Sequence, residues 1–316
     1  MRHFALHTMA ARLVALACGL GILCAAAWAE ETPLPVQEVA PGLFVYQAPY
    51  QLAAPVNGGA IGNVGFVVGG DAVAVIDTGG SAAAGRRLLA AVRAKTDKPI
   101  RWVINTHFHP DHVLGNVAFR ADGTRFVGHA NLKLALLSRA TVYLEANRRL
   151  VGEADFAGTE IVPPDEAVAE RREIDLGGRI LVLEAHPTAH TNADLSVYDA
   201  ATRSWWLADL LFVRHVPALD GSLAGWLKVM AEAAKRPVDR VVPGHGPASL
   251  SWPDAMAPQW RYLNRLRDDV RAMVADGRTI AEAAAKAGIS ERDAWALFED
   301  FNARNATAAF KEMEWE

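Results

Sequence analysis

Three histidines and a carboxylate fall within six residues of this chain, at His107, His109, Asp111 and His112. No packing requirement of a folded core asks for that density of polar side chains, and burying them costs free energy unless each finds a partner. A divalent cation satisfies several imidazoles and carboxylates at once, so the run from Thr106 to His112 reads as a metal site. His107 and His109 stand two apart on a chain leaving a strand, so both can turn to the same side. Asp111 and His112 lie beyond Pro110, which breaks the local path and can point them at a second position. One metal does not easily accept all four at that spacing, whereas two can.

Further ligands are expected at other strand ends, because a rigid scaffold holds binding residues on its loops. His190 stands between two apolar strands in Thr188, Ala189, His190, Thr191. Asp209 directly follows the apolar run Trp205 to Ala208, and His245 sits between Gly244 and Gly246 after a buried strand. Any one of these residues alone is more often a turn cap. Together, at successive strand ends, they form a set.

The elements that must carry this set are legible from their periods. Apolar runs at 43–47, 63–68 and 72–76 read as strands, the last two joined as a hairpin through Gly69, Gly70 and Asp71. Residues 30–41 are a proline-bearing lead-in without periodicity, and residues 48–62 form a long Gly- and Pro-rich loop of a kind that often borders a site. A helix over 82–95 places Leu88, Leu89 and Val92 on one face, and a strand at 100–104 runs into the histidine cluster. A short helix around 113–119 and a strand at 126–128 come next. The helix over 130–150 carries Leu132, Leu136, Leu137, Val142 and Leu144, with Lys133, Arg139, Arg148 and Arg149 facing out, and so reads as amphipathic and half buried. Residues 151–170 are irregular. Strands at 174–176, 180–185, 195–198 and 204–208, a helix over 223–234 and a strand at 240–242 follow. From Pro253 onward the pattern is helical, in three or four segments broken at Gly277 and Gly288. Hairpin clusters with helices between two halves predict an α/β (α+β) fold, an αββα sandwich of two mixed sheets with outer helices and a C-terminal helical extension.

Composition narrows the setting. At 316 residues and 51% hydrophobic the chain can bury a substantial core. Residues 13–27 are almost free of polar side chains, follow Arg2 and Arg12, and lead to the small-x-small pattern Ala27, Trp28, Ala29. That is a secretory signal over residues 1–29, shorter than the roughly 20 apolar residues of a spanning helix, with cleavage expected after Ala29 and export to a bacterial periplasm or beyond. No stable membrane span is expected once it is gone. A catalytic domain over 30–252 and the helical extension over 253–316, packed on that core, would remain. Loss of the two arginines moves the formal net charge from −4 to about −6, a poor balance for a nucleic-acid partner. Cys18 and Cys24, the only cysteines, leave as well, so the mature chain has no thiolate ligand and no disulfide.

The chain resembles the metallo-β-lactamase superfamily over roughly residues 43–247. The likeness rests on His107, His109, Asp111 and His112, on the AHT at His190, on Asp209, on the PGHG at His245 and on the VIDTGG of residues 75–80. It implies the metallo-β-lactamase fold with one metal held by His107, His109 and His190, a second by Asp111, His112 and His245, and Asp209 bridging both. His186 lies outside the AHT position, while His129 and His215 have no motif role. The lactamase subclass with a cysteine ligand does not fit, because Asp209 stands there; glyoxalase II-like thioesterases carry a bridging aspartate instead. The runs HFHPDHVLGN (107–116), LADLLF (207–212), PALDGSLAGW (217–226) and NATAAFKEMEWE (305–316) are similar to those of the quinoprotein relay system zinc metallohydrolases. That likeness implies a functional link to a PQQ-dependent alcohol dehydrogenase.

The reaction implied is hydrolysis of a small-molecule ester, thioester, lactone or amide by a hydroxide bridging two divalent metals, with zinc first and iron or manganese as the other candidates. Asp111 would orient or shuttle the proton besides ligating, and Asp77 would either hold a ligand histidine or its own turn from behind or, equally, cap the helix that starts beside Thr78 and Ser81. Tyr50, Phe212 and His215 are the candidates for substrate contact. A β-lactamase and an iron-dependent oxidoreductase of the same fold are the alternatives.

Overall fold

Alternation along the strands sorts the apolar side chains to two faces, and this sorting builds the layers. In the computed structural model, which describes residues 31–315, Ala74 and Ile76 point into the space between two sheets while Val73 and Val75 point outward to a helix. In the same way Trp206 and Val242 face inward, and Trp205 and Val241 face the opposite helical layer. The secretory signal expected over residues 1–29 lies outside the described residues.

The first sheet has seven strands in sequence order: β1 (Val36–Ala40), β2 (Leu43–Tyr46), β3 (Val64–Val68), β4 (Val73–Ile76), β5 (Ile100–Asn105), β6 (Arg125–His129) and β7 (Glu166–Val168). It is antiparallel from β1 to β4 and parallel from β4 to β7. The second sheet runs β12 (Arg240–His245), β11 (Ser204–Phe212), β10 (Leu195–Asp199), β9 (Ile180–Ala185), β8 (Arg171–Asp175), with β11 and β12 parallel and the rest antiparallel. Helix α1 (Ala82–Arg93), capped by the Ser81 side chain, covers the outer face of the first sheet. Helices α5 (Leu223–Ala233), α6 (Ala257–Ala275), α7 (Ile280–Lys286) and α8 (Phe298–Met313) cover the second. The result is the expected αββα sandwich with a C-terminal helical region, and the contacts hold Thr32–Glu316 together as one compact unit. No described helix is long and apolar enough to cross a membrane.

Four local expectations need correction. The lead-in forms a strand, β1, because pairing with β2 supplies backbone partners that no periodicity announces. Residues 151–170 hold helix α4 (Glu153–Phe156) as well as the edge strand β7. The short helix expected around 113–119 is instead α2 (Pro110–Val113) and a separate 3₁₀ turn, Asn116–Phe119. On α3 (Leu132–Val151), Leu132 and Leu136 are buried, but Leu137 and Val142 are 50% and 67% exposed, so the apolar stripe is narrower than its spacing suggests.

Candidate metal centre

Strand β5 delivers the histidine run, and the turn after β4 anchors it. The carboxylate of Asp77 accepts from the backbone N–H of Thr106 at 2.8 Å and from its hydroxyl at 2.7 Å. Asp77 adopts φ of +55°, a left-handed conformation that costs free energy in a non-glycine residue and recurs at functional sites. His109 then stands as the N-cap of α2, with Pro110 in the first turn, where its fixed φ suits a helix start. That turn places Asp111 and His112 on a new path, as the proline foretold.

The other donors arrive from the second sheet. His190 lies between β9 and β10 in a loop pinned by Asp194, whose carboxylate accepts from the N–H and hydroxyl of Thr191. Asp209 was expected just past a strand end; it lies inside β11, which continues to Phe212. The strand is irregular there: Ala208 has φ of +49° and the pairing with β12 slips on both sides of it. Such a bulge re-aims a side chain, and this one sends the Asp209 carboxylate to the site. Strand β12 likewise runs on through His245. A Cβ on Gly244 would lie 1.8 Å from Asp209 Oδ1, and one on Gly62 would lie 2.8 Å from His112 Nε2, so both glycines leave room that the site occupies. Asn63 ties the sheets together beside it, donating to the carbonyls of Pro243 and Gly246.

All seven residues expected to hold metal come together. His107, His109, His190 and Asp209 offer ligand atoms within 4.8 Å of one another, as do Asp111, His112 and His245. Asp209 stands between the groups. Its Oδ1 is 3.2 Å from His112 Nε2, and its Oδ2 is 3.3 Å from His190 Nε2 and 3.5 Å from both His107 Nε2 and His245 Nε2. Asp111 Oδ2 lies 3.3 Å from His112 Nε2 and 3.4 Å from His245 Nε2. Four buried side-chain atoms among the described residues lack a hydrogen-bond partner, and three of them are here: His107 Nε2, His112 Nε2 and Asp209 Oδ1. A native fold rarely leaves such atoms unpaired, and a cation shared among them accounts for all three. The donor set therefore fits divalent metal.

The charges within the cluster act strongly on one another. Burial pushes the Asp209 carboxyl up, but His112, His245 and His107 outweigh it and hold the group well below the usual carboxylate range. Burial also disfavours charge on His112, yet Asp209, Asp111 and Asp77 raise it well above an ordinary histidine. For His190, burial dominates and lowers it to about 3, leaving a neutral ring suited to ligation.

Each ring is also held from behind. Asp77 Oδ2 lies 2.9 Å from His112 Nδ1, and the helix cap of α1 is Ser81, so Asp77 orients a ring and does not cap the helix. His190 Nδ1 meets the carbonyl of Ala218 at 2.6 Å, and His107 Nδ1 lies 3.1 Å from the Thr106 hydroxyl. His109 is turned the other way: its Nδ1 faces His190 Nε2 at 3.0 Å while its Nε2 meets Asp220 Oδ2 at 3.1 Å. Asp220 carries no signal of its own in the sequence beyond its place in PALDGSLAGW. His245 stacks on Phe212, with ring centres 5.0 Å apart and planes 11° from parallel.

A cavity of about 620 Å³ opens over the cluster. The loop after β2 contributes Gln51, Leu52 and Ile61 to its wall, and α8 contributes Phe301 and Arg304, so the last of the C-terminal helices borders the site. Phe212 and His215 line the cavity as expected; Tyr50 does not. His186 stands apart, its Nε2 2.7 Å from the Ser196 hydroxyl, and His129 Nδ1 accepts from the backbone of Asn131.

Comparison with known proteins gives a consistent result. The profile of the Metallo-beta-lactamase superfamily matches residues 57–245. A linear primary-alkylsulfatase from Pseudomonas sp. (strain ATCC 19151) is 49% identical over 45 residues, a stretch that spans 14% of this chain and only 8% of that protein's length. Among solved structures, the inverting sec-alkylsulfatase Pisa1 from Pseudomonas sp. superposes with a TM-score of 0.67 at 15% identity, over 87% of this chain and 49% of its own. A metallo-beta-lactamase from Pontibacter korlensis superposes with a TM-score of 0.56 at 19% identity, over 72% of this chain and 98% of its own. At these identities the superpositions establish a shared fold.

Proposed function

We propose that the chain, which belongs to the metallo-beta-lactamase superfamily, is a dinuclear metal-dependent hydrolase of an ester-type bond. The observation that carries this reading is Asp209, whose two oxygens reach both halves of a seven-residue donor set. His107, His109 and His190 would hold one cation, Asp111, His112 and His245 the other, with Asp209 between them. Divalent cations there, zinc first, would supply Lewis acidity and an activated water.

The chain's own residues do the rest. Asp111 is the more open of the two donor carboxylates that line the cavity, with 16% of its side chain exposed against 4% for Asp209, which places it to take a proton from the attacking water and to orient it. Asp77, Thr106, Ala218 and Asp220 fix the rings, so little reorganisation is needed as charge develops. The wall formed by Leu52, Phe212 and Phe301 excludes water from an apolar substrate.

Carboxylic ester, thioester or lactone is the first reading for the bond cleaved. Sulfate ester is the second, favoured by the likeness to alkylsulfatases in both sequence and fold. Export and a link to a PQQ-dependent alcohol dehydrogenase complete the proposal, on the strength of the apolar leader and the sequence runs quoted above. The test is a panel of carboxylic esters, thioesters, lactones, alkyl sulfates and a chromogenic cephalosporin, with metal-free protein and protein reloaded with zinc, iron or manganese. Ester-type turnover that chelation abolishes and metal restores is expected; turnover indifferent to chelation would sink the reading.

A further inference from the structure

Tyr143 lines the cavity from α3, and its ring packs against the apolar cluster of Phe108, Leu132 and Leu136 that backs the histidine run. Among the described residues nothing hydrogen-bonds its hydroxyl; the nearby Asp220 carboxylate is engaged by His109 at 3.1 Å. The phenol stands in the field of four charges, Arg139, Asp220, Asp111 and Arg304, and burial keeps it protonated. Arg139 stacks over Phe108 at 4.3 Å, and neither it nor Arg304 has a carboxylate partner within the described residues. Arg139 donates to the Ala135 carbonyl at 3.3 Å, so a part-buried donor stands beside two guanidinium groups that keep a charge no carboxylate balances, on the wall of the cavity over the metal site, an arrangement built to meet oxygen that carries or develops negative charge.

A second feature continues from the first. Leu52, Val142 and Leu150 are 45%, 67% and 52% exposed, and all three line the same cavity. Large apolar side chains gathered on the wall of a cleft are left in water until a ligand covers them.

We propose that Tyr143 donates a hydrogen bond to an oxygen of the substrate's reacting group, and that the substrate is an amphiphile whose apolar tail lies over Leu52, Val142 and Leu150. This rests on the hydrolase reading above and names its substrate class. Arg139 and Arg304 balance the head group's charge, and the tail selects chains over short acids.

The test is calorimetric binding of decanoate and acetate to the metal-loaded protein, which needs no turnover. Tyr143→Phe keeps the ring and its packing, so its melting temperature should match wild type while decanoate affinity falls about tenfold, as for a lost hydrogen bond to a charged group. Exposed Val142→Ser should weaken decanoate about fivefold and leave acetate unchanged. Equal decanoate affinity in wild type and Tyr143→Phe would overturn the donor role, and a Val142→Ser effect shared equally by acetate would overturn the tail site. Decanoate binding as expected, in a protein that hydrolyses nothing on the panel, would instead count against the hydrolase reading alone.

Discussion

Asp220 Oδ2 lies 3.1 Å from His109 Nε2, so His109 presents Nδ1 to the cluster whereas His107, His112, His190 and His245 present Nε2. One carboxylate on the loop before α5 thereby decides which face of the ring can ligate. His109 is also the more open of the ligand histidines, with 18% of its side chain exposed, and has the most freedom to turn away.

Removing that carboxylate should loosen the metal held through His109. Asp220→Ala is expected to lower the affinity for one equivalent of metal by about tenfold, the usual size of such an orienting contact, and to leave the other equivalent in place. Competition with a chromogenic chelator, read as two separate dissociation steps, checks this. Loss of both equivalents together, or of neither, would contradict it.

Gly244 offers a sharper geometric test. Its missing side chain is the space that Asp209 Oδ1 fills, since a Cβ would sit 1.8 Å from that atom. Gly244→Ala is expected to displace the carboxylate by an ångström or more and to lower kcat/KM on the order of a hundredfold. The same Cβ would lie 2.7 Å from the Asp209 backbone nitrogen and 2.8 Å from the Ala208 carbonyl carbon, so the bulge of β11 must shift with the carboxylate, and circular dichroism should show the fold otherwise retained. Unchanged kcat/KM would mean that the position of Asp209 is not critical.

His186 predicts a pH dependence of stability outside the site. Burial, with His129 and Arg236 beside it, lowers its pKa to about 4, and its Nε2 accepts from the Ser196 hydroxyl, which itself accepts from Trp205 Nε1 at 3.0 Å. The unfolded ring takes its proton near pH 6.5 and the folded ring only near 4, so stability present above pH 6.5 is lost as pH falls through that window. Allowing for its part-exposure, the loss is about 2 kcal/mol. Urea unfolding of the metal-saturated protein between pH 7 and pH 4.5 should fall more steeply for wild type than for His186→Gln. Parallel slopes would refute the assignment.

Much of this site was legible in the sequence, for reasons tied to particular residues. A run such as His107 to His112 has no role in a core, and Pro110 divides it visibly into two directions. His190 and His245 were found because turns break the apolar period beside them. Asp77 was legible as a residue behind the ligands, although an N-cap reading was equally open; the Ser81 cap removes that alternative. Asp209 was found for a reason that the fold revises: the strand continues past it, and a bulge at Ala208 does what a strand end was expected to do. Asp220 and Tyr143 were not legible, because a contact across 111 residues and a part-buried phenol leave no local period. The exposed side of α3 escaped too, since Val142 and Leu150 have helical spacing but face a cavity.

The most direct test of the central claim is metal content per chain, measured by mass spectrometry of the elements on wild type and Asp209→Ala purified side by side. Two equivalents per chain in wild type, at most one in the variant, and loss of hydrolysis with the lost metal are predicted. One equivalent or none in wild type, or full occupancy and turnover in Asp209→Ala, would contradict the dinuclear centre.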